Sequence, residues 1–144
     1  MSDELGYPDG LYQYIHRMYF FHTINVTTAI YYGQRKASVL ALLLSLTSFN
    51  YWRYPLLNST RRKIDLLVSR LVVPYHVYLS FFTTNKLLCS GPLLFGSMMY
   101  PVSIAFYNKQ KYKTGVFCHC LLHLCSMIGA CFTYRDYYLQ NIFC

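Results

Sequence analysis

Residues 116–134 read VFCHCLLHLCSMIGACFTY, a run without a single Asp, Glu, Lys or Arg and with His119 and His123 four positions apart. A hydrocarbon core about 30 Å thick asks for about 20 apolar residues at 1.5 Å per residue, so this run has the length of a membrane span. Outward from it, four more runs are nearly free of charge and bounded by basic, Asn/Ser/Thr or Pro-containing stretches: 14–32, 37–52, 66–84 and 87–107. The last two have span length, 37–52 is short, and 14–32 is diluted by His, Asn and Thr. The sequence predicts an all-α fold, a polytopic membrane helix bundle of about five transmembrane helices with short loops, forming one integral membrane domain over 1–144.

Composition supports that class. Of 144 residues, 55% are hydrophobic and 12% charged, about half the charge of an average soluble domain. Eighteen charged residues, 13 basic and 5 acidic, are few with which to cover a soluble surface. Sixteen Tyr and ten Phe suit a boundary that is dry on one side and wet on the other. Tyr51, Trp52, Tyr54, Tyr107 and Tyr134, which close three of the runs, are therefore expected at headgroup depth as anchors. The first thirteen residues carry Asp3, Glu4 and Asp9 and no base, unlike a cleavable signal, so the first helix is expected to serve as its own insertion signal.

The basic residues divide unequally. One side of a five-helix bundle would hold Arg17, Arg53, Arg61, Arg62, Lys63, Arg70, Lys109, Lys111 and Lys113; the other only Arg35, Lys36, Lys86 and Arg135. The positive-inside rule puts the first side, with the N-terminus, in the cytoplasm and the C-terminus across the membrane. The net charge of +8 is gathered beside apolar spans, as in Arg61-Arg62-Lys63. That placement points to membrane lipids with anionic headgroups as partners and away from nucleic acid.

Within the runs, Pro74, Pro92 and Pro101 predict kinks, while Gly91, Gly96, Ser126 and Gly129 offer close helix approach. The cysteines at 89, 118, 120, 125, 131 and 144 form no Cys-x-x-Cys; those within the runs read as buried apolar residues, while Cys144 at the end is expected to be exposed. The polar groups at membrane depth are the candidates for chemistry, because ionisable groups there are costly and face a bundle interior or a cavity. They are His16, His22, Asn25, Arg70, His76, His119 and His123, with Ser48 and Asn50. His119-x-x-x-His123 sets two imidazoles on one helical face at chelating distance. Topology brings Ser48, Asp65 and His22 to the same layer, and a Ser, an Asp and three His form the constellation of a zinc hydrolase.

This pattern resembles the membrane hydrolase superfamily of the alkaline ceramidases and adiponectin-receptor-like proteins, over about half the chain. That superfamily has a Ser followed four residues later by His, then an Asp, then His-x-x-x-His in its last helix. Ser48, Asp65, His119 and His123 match; Trp52 stands where the first His belongs, and the chain has room for five helices rather than seven. The resemblance implies catalytic roles for Ser48 and Asp65 and metal ligation by His119 and His123. His22 or His76 would supply the third ligand, and His22 is nearer the basic side.

Three classes of function fit. The sequence on its own favours a small structural, assembly or accessory subunit within a membrane, with protein partners and no cofactor. The alternatives are a zinc-dependent hydrolase of lipid amides or esters and a small transporter or channel.

Overall fold

The computed structural model describes residues 5, 7, 8 and 10–143. Six helices follow in order: α1 (Tyr12–Arg17), α2 (Tyr19–Tyr31), α3 (Arg35–Trp52), α4 (Thr60–Ser80), α5 (Lys86–Asn108) and α6 (Tyr112–Phe143). Among the described residues the one departure from helix and turn is an isolated antiparallel bridge between Leu5 and Leu56. α1 and α2 replace the single helix expected over 14–32: the chain breaks at Met18. α4 begins six residues before the expected run because Ser59 caps it, its hydroxyl accepting from Arg62 N at 3.2 Å. The basic triplet is thereby the first turn of the helix rather than its loop. α6 runs nine residues beyond the expected end. α4 and α5 continue through Pro74, Pro92 and Pro101.

Neighbouring helices close a ring. α5 packs most extensively on α6, α6 on α2, α2 on α3 and α3 on α4, and the slightest join is that between α4 and α5. The α2–α3 turn is made by Gly33 at φ +65°, a conformation that glycine adopts without steric cost. The α4–α5 turn is held by α6: Asp136 Oδ2 accepts from the backbone N–H groups of Thr84 (2.5 Å) and Asn85 (3.4 Å). Asn85 then caps α5 through Leu88 N at 3.3 Å.

Two apolar clusters lie at opposite ends. One joins Tyr7, Ile15, Tyr51, Trp52 and Val116, the other Ala29, Ala37, Leu93, Ala130 and Tyr134. Along α6 the order Val116, His119, His123, Ala130, Tyr134 puts a polar layer between them. Much of the remaining interior is also polar, with Ser45, Ser48, Asp65, His76, Ser80, Ser90, Ser103 and Thr133 all buried. The outside is greasy: Leu42, Leu43 and Leu46 on α3, Leu67 and Leu71 on α4, and Phe95 and Met98 on α5 are exposed.

By length and composition, two helices are able to cross a membrane, Lys86–Asn108 with mean hydropathy 1.4 and Tyr112–Ile142 with 1.7, and only 28% and 33% of their apolar windows are buried. α2 is about 20 Å long and α3 about 27 Å, both under the thickness of a hydrocarbon core. α4 carries Arg61, Arg62, Lys63, Asp65 and Arg70.

Three of the expected anchors are interior residues. Tyr51, Trp52 and Tyr134 are only 6%, 8% and 0% exposed. The phenol of Tyr134 finds a partner inside the bundle, at 2.6 Å from His76 Nε2, which removes the need for a wet boundary. Tyr54 is exposed and Tyr107 half-buried.

The α5–α6 contact depends on missing side chains. A Cβ at Gly129 would lie 2.7 Å from Leu93 Cγ and 2.9 Å from Cys89 O, and one at Gly96 would lie 3.1 Å from Leu122 O. At Gly91 the nearest atom is Leu87 Cδ1 at 4.0 Å. Gly129→Ala is expected to lower the thermal midpoint in detergent, since overpacking costs about 1–3 kcal/mol against about 1 kcal/mol gained in helix propensity. Gly91→Ala is expected to hold or raise it; equal behaviour of the two variants would refute this contact.

Candidate functional site

The seven residues between α3 and α4 turn the chain back, so that the end of α3 lies against the start of α4. This sets Ser48 opposite Asp65. Ser48 Oγ donates to Asp65 Oδ1 at 2.6 Å, and Thr47 Oγ1 reaches the same oxygen at 3.3 Å. Asp65 is 6% exposed and forms no ion pair among the described residues. Arg62, three positions earlier, spends a guanidinium N–H on Leu57 O at 2.8 Å instead. Both hydroxyls address Oδ1, so Oδ2 is left for another donor.

α6 supplies the imidazoles. The His119 and His123 rings are 5.1 Å apart between centroids, and His22 of α2 comes to 4.9 Å from His123. Two imidazoles on one zinc at about 2.0–2.1 Å from each nitrogen would have centroids about 5 Å apart. Trp52 lies 4.8 Å from His119 on one side and Tyr100 at 6.1 Å on another. Four residues after Ser48, the indole of Trp52 thus walls the His119 ring.

The five residues of the expected hydrolase constellation, His22, Ser48, Asp65, His119 and His123, line one cavity of about 500 Å³, together with Trp52. The volume is within the range of about 300–1,000 Å³ of small-molecule sites. Beside it is a void of about 10 Å³ lined by His16, His22, Ser48 and His123, among others. The Nε2 atoms of His16, His22 and His123 are the buried side-chain nitrogens and oxygens with no hydrogen-bond partner among the described residues. Three such atoms around one void form a donor set that invites a ligand, because buried polar groups are otherwise paired. Among the described residues no three His, Cys, Asp or Glu side chains stand arranged around one ion, and the ring separations leave convergence to side-chain torsions.

His16 is the residue the sequence reading left out of the site. Six positions from His22 on a continuous helix, it would face another way; the break at Met18 brings both rings to the same void. His76 is not part of this site. Its Nδ1 donates to Val72 O at 2.8 Å and its Nε2 accepts from Tyr134 OH at 2.6 Å, so both nitrogens are satisfied in a cross-link between α4 and α6. Asn25 approaches Cys131, whose thiol lies 3.6 Å from Asn25 Oδ1 and 3.6 Å from Thr28 Oγ1. Cys144 lies outside the described residues.

Tyr7 closes the basic end. Its ring packs against Trp52 and Tyr107, and its hydroxyl is 3.3 Å from Ser103 Oγ. Ser103 itself donates to Gly115 O at 2.8 Å, so the phenol is the donor to Ser103. Burial pushes the Tyr7 phenol above its ordinary pKa, the hydrogen bond to Ser103 acting the other way.

Comparison with protein-family models, with curated proteins and with solved structures finds no match.

The two buried polar pairs are expected to answer differently to substitution. Tyr134→Phe strands His76 Nε2 and is expected to cost about 1–3 kcal/mol. Asp65→Asn removes a buried carboxyl that has no cation and is expected to leave the thermal midpoint unchanged or raised. A large loss of stability in Asp65→Asn would make the Ser48–Asp65 bond a structural pin rather than part of a site.

Proposed function

We propose that this chain is a multi-pass membrane protein whose cavity is the active site of a metal-assisted hydrolase acting on an acyl amide or ester bond of a lipid. The observation that carries the reading is the 2.6 Å Ser48–Asp65 hydrogen bond in the same cavity as three clustered imidazoles. Its polar interior and greasy exterior support the membrane part. In this reading five rods, with α1 and α2 as one, enter the bilayer, and the basic end of the bundle is cytoplasmic. The resemblance to the alkaline ceramidase and adiponectin-receptor-like hydrolases supports the chemistry through Ser48, Asp65, His119 and His123.

The residues fit a zinc ion by their donor chemistry: His119 and His123 with His22 as third ligand, two of the three having unpartnered Nε2 atoms. Zinc bound there would polarise the scissile carbonyl and acidify water. The chain's own contribution is positional. Ser48 and Thr47 orient Asp65 through Oδ1, and Oδ2 takes the proton from the attacking water. The same proton then passes to the leaving nitrogen or oxygen as the carbonyl carbon–heteroatom bond breaks, giving a fatty acid and an amine or alcohol. Trp52 and Tyr7 keep bulk water from the basic end.

Purified protein with bound zinc, incubated with acyl-amide and acyl-ester lipids in ¹⁸O-water, is expected to release fatty acid carrying one ¹⁸O. Asp65→Asn and His123→Ala are expected to lose about 100-fold or more of that rate. Absence of both turnover and stoichiometric zinc would return the chain to the class of structural membrane subunits. Accessibility tags at the two termini are expected on opposite sides of the membrane, and tags on one side would remove the five-rod arrangement.

A further inference from the structure

The residues that line the cavity are buried or half-buried with four exceptions: Arg70 and Pro74 on α4, and Ile104 and Asn108 on α5. Every exposed part of the lining thus belongs to the two helices whose join is the slightest in the ring. The mouth of the cavity is a side gap between α4 and α5. It faces where the acyl chains of a bilayer would lie.

Arg70 stands on that rim ten residues into α4, about 15 Å from its start, which in the five-rod arrangement proposed above is about half the thickness of a hydrocarbon core. A cation at that depth is expensive unless it faces a cavity and meets an anion. The described residues give Arg70 no hydrogen bond and no ion pair. Asp65 lines the same cavity, but neither of its carboxylate oxygens makes an ion pair with Arg70. The counter-anion therefore has to come with the occupant. The rest of the lining, including Leu44, Leu66, Val73 and Leu122, suits an alkyl chain.

We infer that Arg70 is the recognition site for the anionic head of an amphiphile that enters between α4 and α5, its carboxylate or phosphate oxygens against the guanidinium and its chain in the cavity. This deepens the hydrolase reading, on which it rests for what becomes of the occupant, by giving substrate or product a negative charge. A guanidinium offers two parallel N–H donors to such an oxyanion, which an ammonium does not.

The test is equilibrium binding to the full chain in neutral detergent, with oleate, with monoolein as an uncharged amphiphile of the same chain length, and with inorganic phosphate. Wild type is expected to bind oleate at least tenfold more tightly than monoolein, and millimolar phosphate is expected not to displace it. Arg70→Gln is expected to abolish the preference while monoolein binding holds. Arg70→Lys is expected to bind oleate severalfold more weakly yet keep the preference, and it carries the test if the Gln variant fails to fold. No preference in wild type, full preference in Arg70→Gln, or unchanged oleate affinity in Arg70→Lys overturns the inference. Displacement of oleate by phosphate overturns it in favour of a free-anion site. Hydrolysis without this binding pattern would remove the inference and leave the hydrolase; the binding pattern without hydrolysis would do the reverse.

Discussion

Close approach of α5 to α6 at glycines is the constraint on which the interior depends. Gly96 meets the α6 backbone at Leu122, Gly129 meets the α5 backbone at Cys89 and Leu93, and Gly115 meets Ser103. With the backbones this near, α6 is fixed in rotation. His119 and His123 then project roughly 70° around the helix from the contact strip, at about 100° per residue, toward α2 and α3 instead of outward. A side chain inserted at Gly129 would disturb that rotation, and the imidazoles would move with it.

The second organising fact is polarity turned inward. Seven of the described interior positions are Ser or Thr hydroxyls: Ser45, Ser48, Ser80, Thr83, Ser90, Ser103 and Thr133. Most of them bond to a carbonyl or to another hydroxyl, as in Ser80 Oγ to Ser90 Oγ at 2.9 Å and Thr133 Oγ1 to Gly129 O at 2.8 Å. The Ser80–Ser90 bond and that of Ser103 to Gly115 O join neighbouring helices, and the Thr133 bond stays within α6; none demands charge. The exceptions are the imidazoles beside the cavity and Asp65, whose Oδ2 is uncommitted. Unpaired polarity is concentrated where the chemistry would be, the pattern expected when a site is kept at some expense to stability.

How much was legible in the sequence follows from what each signal measures. Charge-free length located α5 and α6, and the four-residue spacing alone set His119 and His123 on one face. Ser48 and Asp65 were readable as members of one layer because consecutive antiparallel helices end and begin on the same side. The early start of α4 was obscured by Arg61-Arg62-Lys63, which resemble a loop although Ser59 is a ready cap. His16 was hidden because the break at Met18 has neither Gly nor Pro to announce it. Trp52 and Tyr134 misled as boundary aromatics, since sequence distance from a charged residue says nothing of whether a partner such as His119 or His76 waits inside.

Asp136 gives the side gap a mechanical character. Its carboxylate pins the α4–α5 turn at Thr84 and Asn85 to the far part of α6, so α4 and α5 are not free to separate at that end. Any parting of the two helices has to swing about this pin and widen toward Arg62 and Asn108, in the manner of a pair of tongs. That wider end is the one Tyr7 spans, from Trp52 on α3 to Ser103 and Tyr107 on α5.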